Sequence, residues 1–121
     1  MKTLSKAAIQ AAQDIKREPF PTPEWGEDSG VYLTELSGNT RAGLLAAHEA
    51  NKDKDPAARN MALEDALIVA CVVDEKGKAI FEASDAEMLR GKNSKVRERI
   101  AAAAMKLNGM GKVEEAAEVK Q

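Results

Sequence analysis

EPFPTPEWGEDSGVYLTEL, residues 18–36, carries three of the four prolines, the only Trp, the only Tyr and one of the two Phe of a 121-residue chain. Pro19, Pro21 and Pro23 alternate. That spacing excludes a helix and also a central strand, because proline has no N–H and alternate residues of a strand turn their N–H to the same side. The spacing predicts an extended edge strand with its prolines facing away from the neighbour, completed by Glu24 and Trp25. Gly26-Glu27-Asp28-Ser29-Gly30 is turn chemistry, and Val31–Leu36 alternates with period two, as a half-buried strand does. Residues 16–36 therefore predict a β-hairpin with a proline-protected outer edge, in which Phe20, Trp25 and Tyr32 shield a small sheet.

Outward from the hairpin the signals are helical. Upstream, Ser5 is placed to cap a short helix over about 5–13, with Leu4 stapled onto Ile9. Downstream, Ser37-Gly38-Asn39 opens a helix over 38–51 that carries Leu44, Leu45 and His48. Asp55-Pro56 pairs an N-cap with proline at the first helical position and starts a helix over 56–73. Its end, Ala66–Val73, is rich in β-branched residues, which leaves a buried strand as the alternative; the upstream cap and the total length favour helix. Asp74–Lys78 reads as a turn and Ala79-Ile80-Phe81 as a short extended piece. Ser84-Asp85-Ala86-Glu87 matches a capping box for a helix over 84–91. Asn93-Ser94 opens a helix over 94–108 with Val96, Ile100, Ala103, Ala104 and Leu107 on one stripe and Gly109 as its C-cap. The predicted fold class is α+β and mostly helical, four to five helices with one N-terminal β-hairpin. Residues 1–109 form a single compact domain in this reading, and 110–121 a flexible C-terminal tail without core residues.

Composition narrows the function. Twenty-two alanines supply helix propensity but bury only about one methyl each, so the core is thin and a partner subunit is expected to complete it. The net charge of −2 comes from well-mixed acids and bases, with no basic face for nucleic acid. No apolar run approaches the ~20 residues that span a membrane, the start of the chain lacks a secretory signal, and one cysteine fits a reducing compartment.

Catalytic chemistry finds no foothold. His48 is a lone histidine between Ala47 and Glu49, and Cys71 lies inside an apolar run as a small hydrophobe. Asn51, Asp53 and Asp55 imitate the start of a calcium loop, but Pro56 and Ala62 stand where its glycine and bidentate glutamate belong. The Gly-Lys pairs at 77, 91 and 111 lack the upstream glycine of a phosphate loop. Carboxylates interleaved with lysines read as solvated surface. No cofactor and no metal is expected, and Phe20, Trp25, Tyr32, Leu44 and Leu45 are the candidate packing or partner surface.

Several segments occur together in an order that resembles a known family: "LSKAAI" at 4–9, "TPEWG" at 22–26, "LSGNTR" at 36–41, "VVDEKGKAIF" at 72–81, "SDAEML" at 84–89 and "LNGMG" at 107–111. Order and spacing carry the likeness, which covers residues 3 to about 111. The chain resembles the tail assembly chaperones of long-tailed (siphovirus-type) bacteriophages and prophages. The resemblance implies a non-enzymatic protein of the host cytoplasm that binds and solubilises the tape measure protein, self-associates, and helps recruit tail tube (major tail) subunits. Recruitment would pass through a longer isoform made by ribosomal frameshifting, for which Gly111-Lys112 is the expected position. A structural minor tail or head–tail component retained in the virion is the alternative that the sequence separates poorly from it.

Overall fold

The computed structural model describes residues 1–110. In chain order it comprises helix α1 (Lys6–Ala11), strand β1 (Arg17–Pro21), a 3₁₀ turn (Pro23–Trp25), strand β2 (Gly30–Thr34), helices α2 (Gly38–Ala50) and α3 (Pro56–Cys71), strand β3 (Val72–Val73), a second 3₁₀ turn (Ala83–Asp85), and helices α4 (Ala86–Arg90) and α5 (Ser94–Leu107). The α+β, mostly helical architecture with an N-terminal hairpin is the one expected.

β1 and β2 pair antiparallel with Pro19 opposite Tyr32 and Pro21 opposite Gly30. Just beyond each end of the ladder, Thr22 N–H donates to Ser29 C=O and Lys16 C=O accepts from Glu35 N–H. Even-numbered residues thus face β2, and Pro19 and Pro21 turn their nitrogens outward along the sheet edge, blocking further strand addition. A Cβ at Gly30 would lie 2.5 Å from the Phe20 carbonyl oxygen, so only glycine lets the two strands close here.

Two strand boundaries differ from expectation. Pro23, Glu24 and Trp25 do not extend β1. They fold into the 3₁₀ turn, Trp25 N–H donating to Thr22 C=O at 2.9 Å. The 56–73 helix stops at Cys71, and Val72 and Val73 become β3, which pairs with Leu33 and Tyr32 and makes the sheet three-stranded in the order β1-β2-β3. Val73 also bridges Ala79 across the Asp74–Lys78 turn, where the Asp74 carboxylate accepts from the Lys76 and Lys78 amides and Gly77 takes φ +84°. The β-branched pair at the end of α3 adopts the conformation its χ1 restriction favours once β2 offers a ladder.

α3 is the axis of the core. One side, through Ile68, meets Leu33, Val72, Leu89, Val96 and Ile100 beneath the sheet, with Phe20, Trp25 and Val31 packed against them. The other side, through Leu67 and Cys71, meets Leu44 of α2, Ala101 and Ala104 of α5, and Met110. Met110 was expected in a coreless tail; Gly109, at φ +70°, turns the chain back so that its side chain is buried. The rest of the expected tail, 111–121, lies outside the described residues.

Capping follows the sequence at Ser5, Ser37, Asp55 and Asn93, each of which accepts a backbone N–H from its own first turn. The expected Ser84/Glu87 box is displaced: Asp85 accepts from the Glu82 amide at 2.8 Å, at the head of the 3₁₀ turn that precedes α4. The Leu4–Ile9 staple is absent from any core, since both side chains are about 60% exposed and α1 has no buried residue.

Candidate functional site

Helical spacing builds an open apolar groove on the face of α2 and α3. Thr40, Gly43, Leu44 and Ala47 line it from α2, Ala62, Asp65, Ala66, Val69 and Ala70 from α3, and Ala83, Ala86 and Arg90 close its third side. The offsets 0, 3, 4, 7 and 0, 3, 4, 7, 8 are those of one helix face. Its volume is about 410 Å³. Alanine and glycine make up most of the walls, so a second helix can approach closely, as small residues permit at helix–helix contacts.

The polar residues in the groove are charge-balanced. Asp65 is 6% exposed, and its two oxygens accept from Arg90 Nε at 2.8 Å and Arg97 Nη2 at 2.7 Å. Arg97 is itself buried on α5 and donates from Nε to Glu64 at 2.7 Å. This network corrects the expectation of solvated surface for Asp65 and, in part, for Glu64, while most other described carboxylates are exposed. It fixes α3 against α4 and α5, and hence two of the groove's three sides, while leaving no unpaired carboxylate to repel an apolar occupant.

A second open surface, about 520 Å³, lies on the outer face of the hairpin between Pro19, Pro21, Pro23 and Tyr32, with Asp28 and Ser29 at its margin. The proline edge offers no N–H to an incoming strand, so side-chain packing is what this face can provide.

The five candidate residues are spread over separate places. Phe20 and Trp25, both partly buried, pack against the core beneath the sheet, and Phe20 also lines the hairpin surface together with Tyr32. Tyr32 lies on the outer hairpin face. Leu44 is at the groove, and Leu45, one position on and 46% exposed, points elsewhere. Trp25 is further held through its neighbour: Glu24 takes two bonds from Arg99, at 2.8 and 2.9 Å, and the Arg99 guanidinium lies 5.6 Å from the Phe20 ring centroid. The groove residues Gly43, Ala62, Ala66 and Ala86 were not singled out as a surface from the sequence, although their helical spacing was visible there.

His48 is half-buried, and its backbone carbonyl accepts from the Arg59 guanidinium. Cys71 is fully buried, and desolvation pushes its thiol up to about 11, far from thiolate reactivity. Among the described residues no three His, Cys, Asp or Glu side chains gather as metal ligands, and no helix is long and apolar enough to cross a membrane.

A family model described as phage tail assembly chaperone matches residues 3–120. Among solved structures, the tail assembly chaperone of bacteriophage HK97 shares the fold, with a TM-score of 0.61 and 22% identity over 77% of this chain and 85% of that one. No curated protein matches the chain.

Proposed function

The chain belongs to the phage tail assembly chaperone family, and from that premise we propose that it binds apolar helical segments of the tape measure protein and keeps them soluble in the host cytoplasm while the tail is built. The observation that carries this reading is the open groove of α2, α3 and α4, apolar along its walls and free of unpaired carboxylates. An amphipathic helix laid into such a groove buries its apolar face at anchors three and four residues apart. Mixed surface charge on the remaining faces keeps the coated client dispersed.

Recruitment of tail tube subunits belongs to the same proposal, through a longer isoform whose extension follows the domain. Tethering a second binding module beside a bound client raises that partner's effective concentration without new contacts.

Co-expression tests the client step. The tape measure protein is expected in the soluble fraction with the wild-type chain and in the pellet with Ala47→Asp, which puts a charge at an exposed position of the groove wall. Equal solubility with both would refute the groove as the client site. Mass spectrometry of purified virions is expected to find the chain absent, and its presence at stoichiometric level would favour a retained structural component instead.

A further inference from the structure

Residues 1–13 form an arm that no described part of the chain buries, and Asp14 and Ile15 lead from it onto the domain. α1 is locally complete: the Ser5 hydroxyl accepts from Ala8 N–H at 3.1 Å, and Ala12 N–H closes onto the Ala8 and Ile9 carbonyls. Yet none of its residues is buried, and Met1, Leu4, Ile9 and Ile15 are four of the eight large apolar side chains exposed among the described residues. A six-residue helix is well short of the ~12–15 residues at which isolated helices persist in water. A surface elsewhere must therefore stabilise it.

We propose that α1 of one copy lies in the α2–α3–α4 groove of a second copy. Size is the first argument. The groove walls admit a slim helix, and on α1 only Lys6 and Gln10 form a polar edge, side by side at i and i+4, while Ala7, Ala8, Ile9 and Ala11 take the rest of the circumference. Charge is the second argument. Residues 1–13 carry Lys2 and Lys6 and no acid, whereas Glu82, Asp85 and Glu87 are sequence neighbours of the lining residues Ala83 and Ala86, outside the groove's own apolar walls, and Arg90 is already paired with Asp65. The arm's exit is the third. Lys16 N–H donates to Glu35 at 2.8 Å, and Asp14 and Ile15 lie beside Ser37, Arg41 and Asn108, so the arm is pinned at one end of its own domain and α1 departs from it.

The proposal concerns the groove already assigned to the client, and rests on that reading only for the groove being a helix-binding surface. Without client, a neighbour's arm holds the groove; with client, the arm is displaced. Arm and groove are different surfaces, so the contact either closes by reciprocal exchange or propagates head to tail.

The test uses full-length chains that retain buried Cys71. Ile9→Cys and Ala86→Cys variants, mixed and treated with a short bismaleimide, are expected to give a cross-linked heterodimer in at least tenfold excess over either variant alone. Ile9→Asp, at a position exposed in its own chain, is expected to weaken self-association in sedimentation equilibrium at least tenfold while leaving the melting temperature of dilute protein unchanged. Undiminished self-association of Ile9→Asp would overturn the proposal. So would a cross-link that appears only within a single chain bearing both cysteines, which would place the arm in its own groove. If Ile9→Asp leaves self-association intact while Ala47→Asp abolishes tape measure solubilisation, the arm contact fails and the client site stands; the opposite pair of results sinks the client site and keeps the arm.

Discussion

Asp65 and Arg97 meet at 2.7 Å between α3 and α5, their side chains only 8% and 3% exposed. One Arg97 nitrogen, Nη1, has no partner among the described residues, and the guanidinium is compensated there by Asp65 and Glu64. Removing one member of a buried pair strands the other at a cost of about 3–5 kcal/mol, whereas replacing both by apolar side chains is far less harmful. Asp65→Ala is expected to lose stability in that range by urea unfolding, and Asp65→Leu/Arg97→Met to recover most of it. A loss below about 1 kcal/mol for Asp65→Ala would show that the pair does not hold the helices.

Trp25 answers why the aromatics gather in one proline-rich stretch. Its ring is half-buried against the Leu33–Ile100 cluster, and the Pro23–Trp25 turn supplies the backbone that aims it there. Truncation to alanine is expected to cost about 2–3 kcal/mol, below the ~3–5 of a fully buried aromatic. If Trp25→Ala melts like the wild type, packing is the wrong role, and a ligand surface at the hairpin becomes the better one.

The legible parts of the fold were those written in local chemistry. Alternating prolines at 19 and 21 specified an edge strand, and Ser5, Ser37, Asp55 and Asn93 announced helix starts, because caps and turns are satisfied within a few residues. β3 was half-legible: the β-branched end of α3 left a strand reading open, but the cap and the length favoured helix, and only pairing with β2 decides for Val72 and Val73. Asp65 and Arg97 were hidden: each sits on the apolar stripe of its helix, and only the meeting of the two helices turns a misplaced charge into a satisfied one. The groove lay between these extremes. Its small residues had helical spacing, but nothing local tells an open face from a packed one.

Acid should loosen the hairpin turn from α5. Hydrogen bonds from Arg99, and then from the backbone, hold the Glu24 carboxyl down to about 2 from an ordinary 4.5. A carboxylate depressed in the folded state stabilises above its unfolded pKa and loses that contribution as pH falls through the folded one. The window here is therefore pH 4.5 to 2. Thermal melts across it are expected to fall more steeply for the wild type than for Glu24→Gln, which cannot titrate. Asp74, also depressed by backbone hydrogen bonds, titrates in both proteins and cancels from the comparison. Parallel slopes would show that Glu24–Arg99 contributes nothing in solution.

Met110 is the last described residue of the core beyond α5. It is 6% exposed and packs with Leu44, Leu67, Cys71, Ala101 and Ala104, brought there by the positive φ of Gly109. Met110→Ala is expected to cost about 2–3 kcal/mol, at the low end for core truncations because one side of the cluster can relax. Gly109→Ala is expected to cost about 1–2 kcal/mol from the left-handed backbone alone, since an added Cβ there meets no atom within 4 Å. Both follow from urea unfolding, and wild-type stability in Met110→Ala would move the core boundary back to Leu107. The boundary also constrains the proposed longer isoform. A frameshift before codon 110 would replace Met110 and open the α2–α3–α5 cluster in every extended product, whereas a shift at Gly111-Lys112 leaves every described member of the cluster in place. The gene is therefore expected to carry its slippery heptamer at codons 111–112 with an open −1 frame beyond. A heptamer upstream of codon 110, in a gene whose long product still folds, would break the link between the core boundary and the shift site.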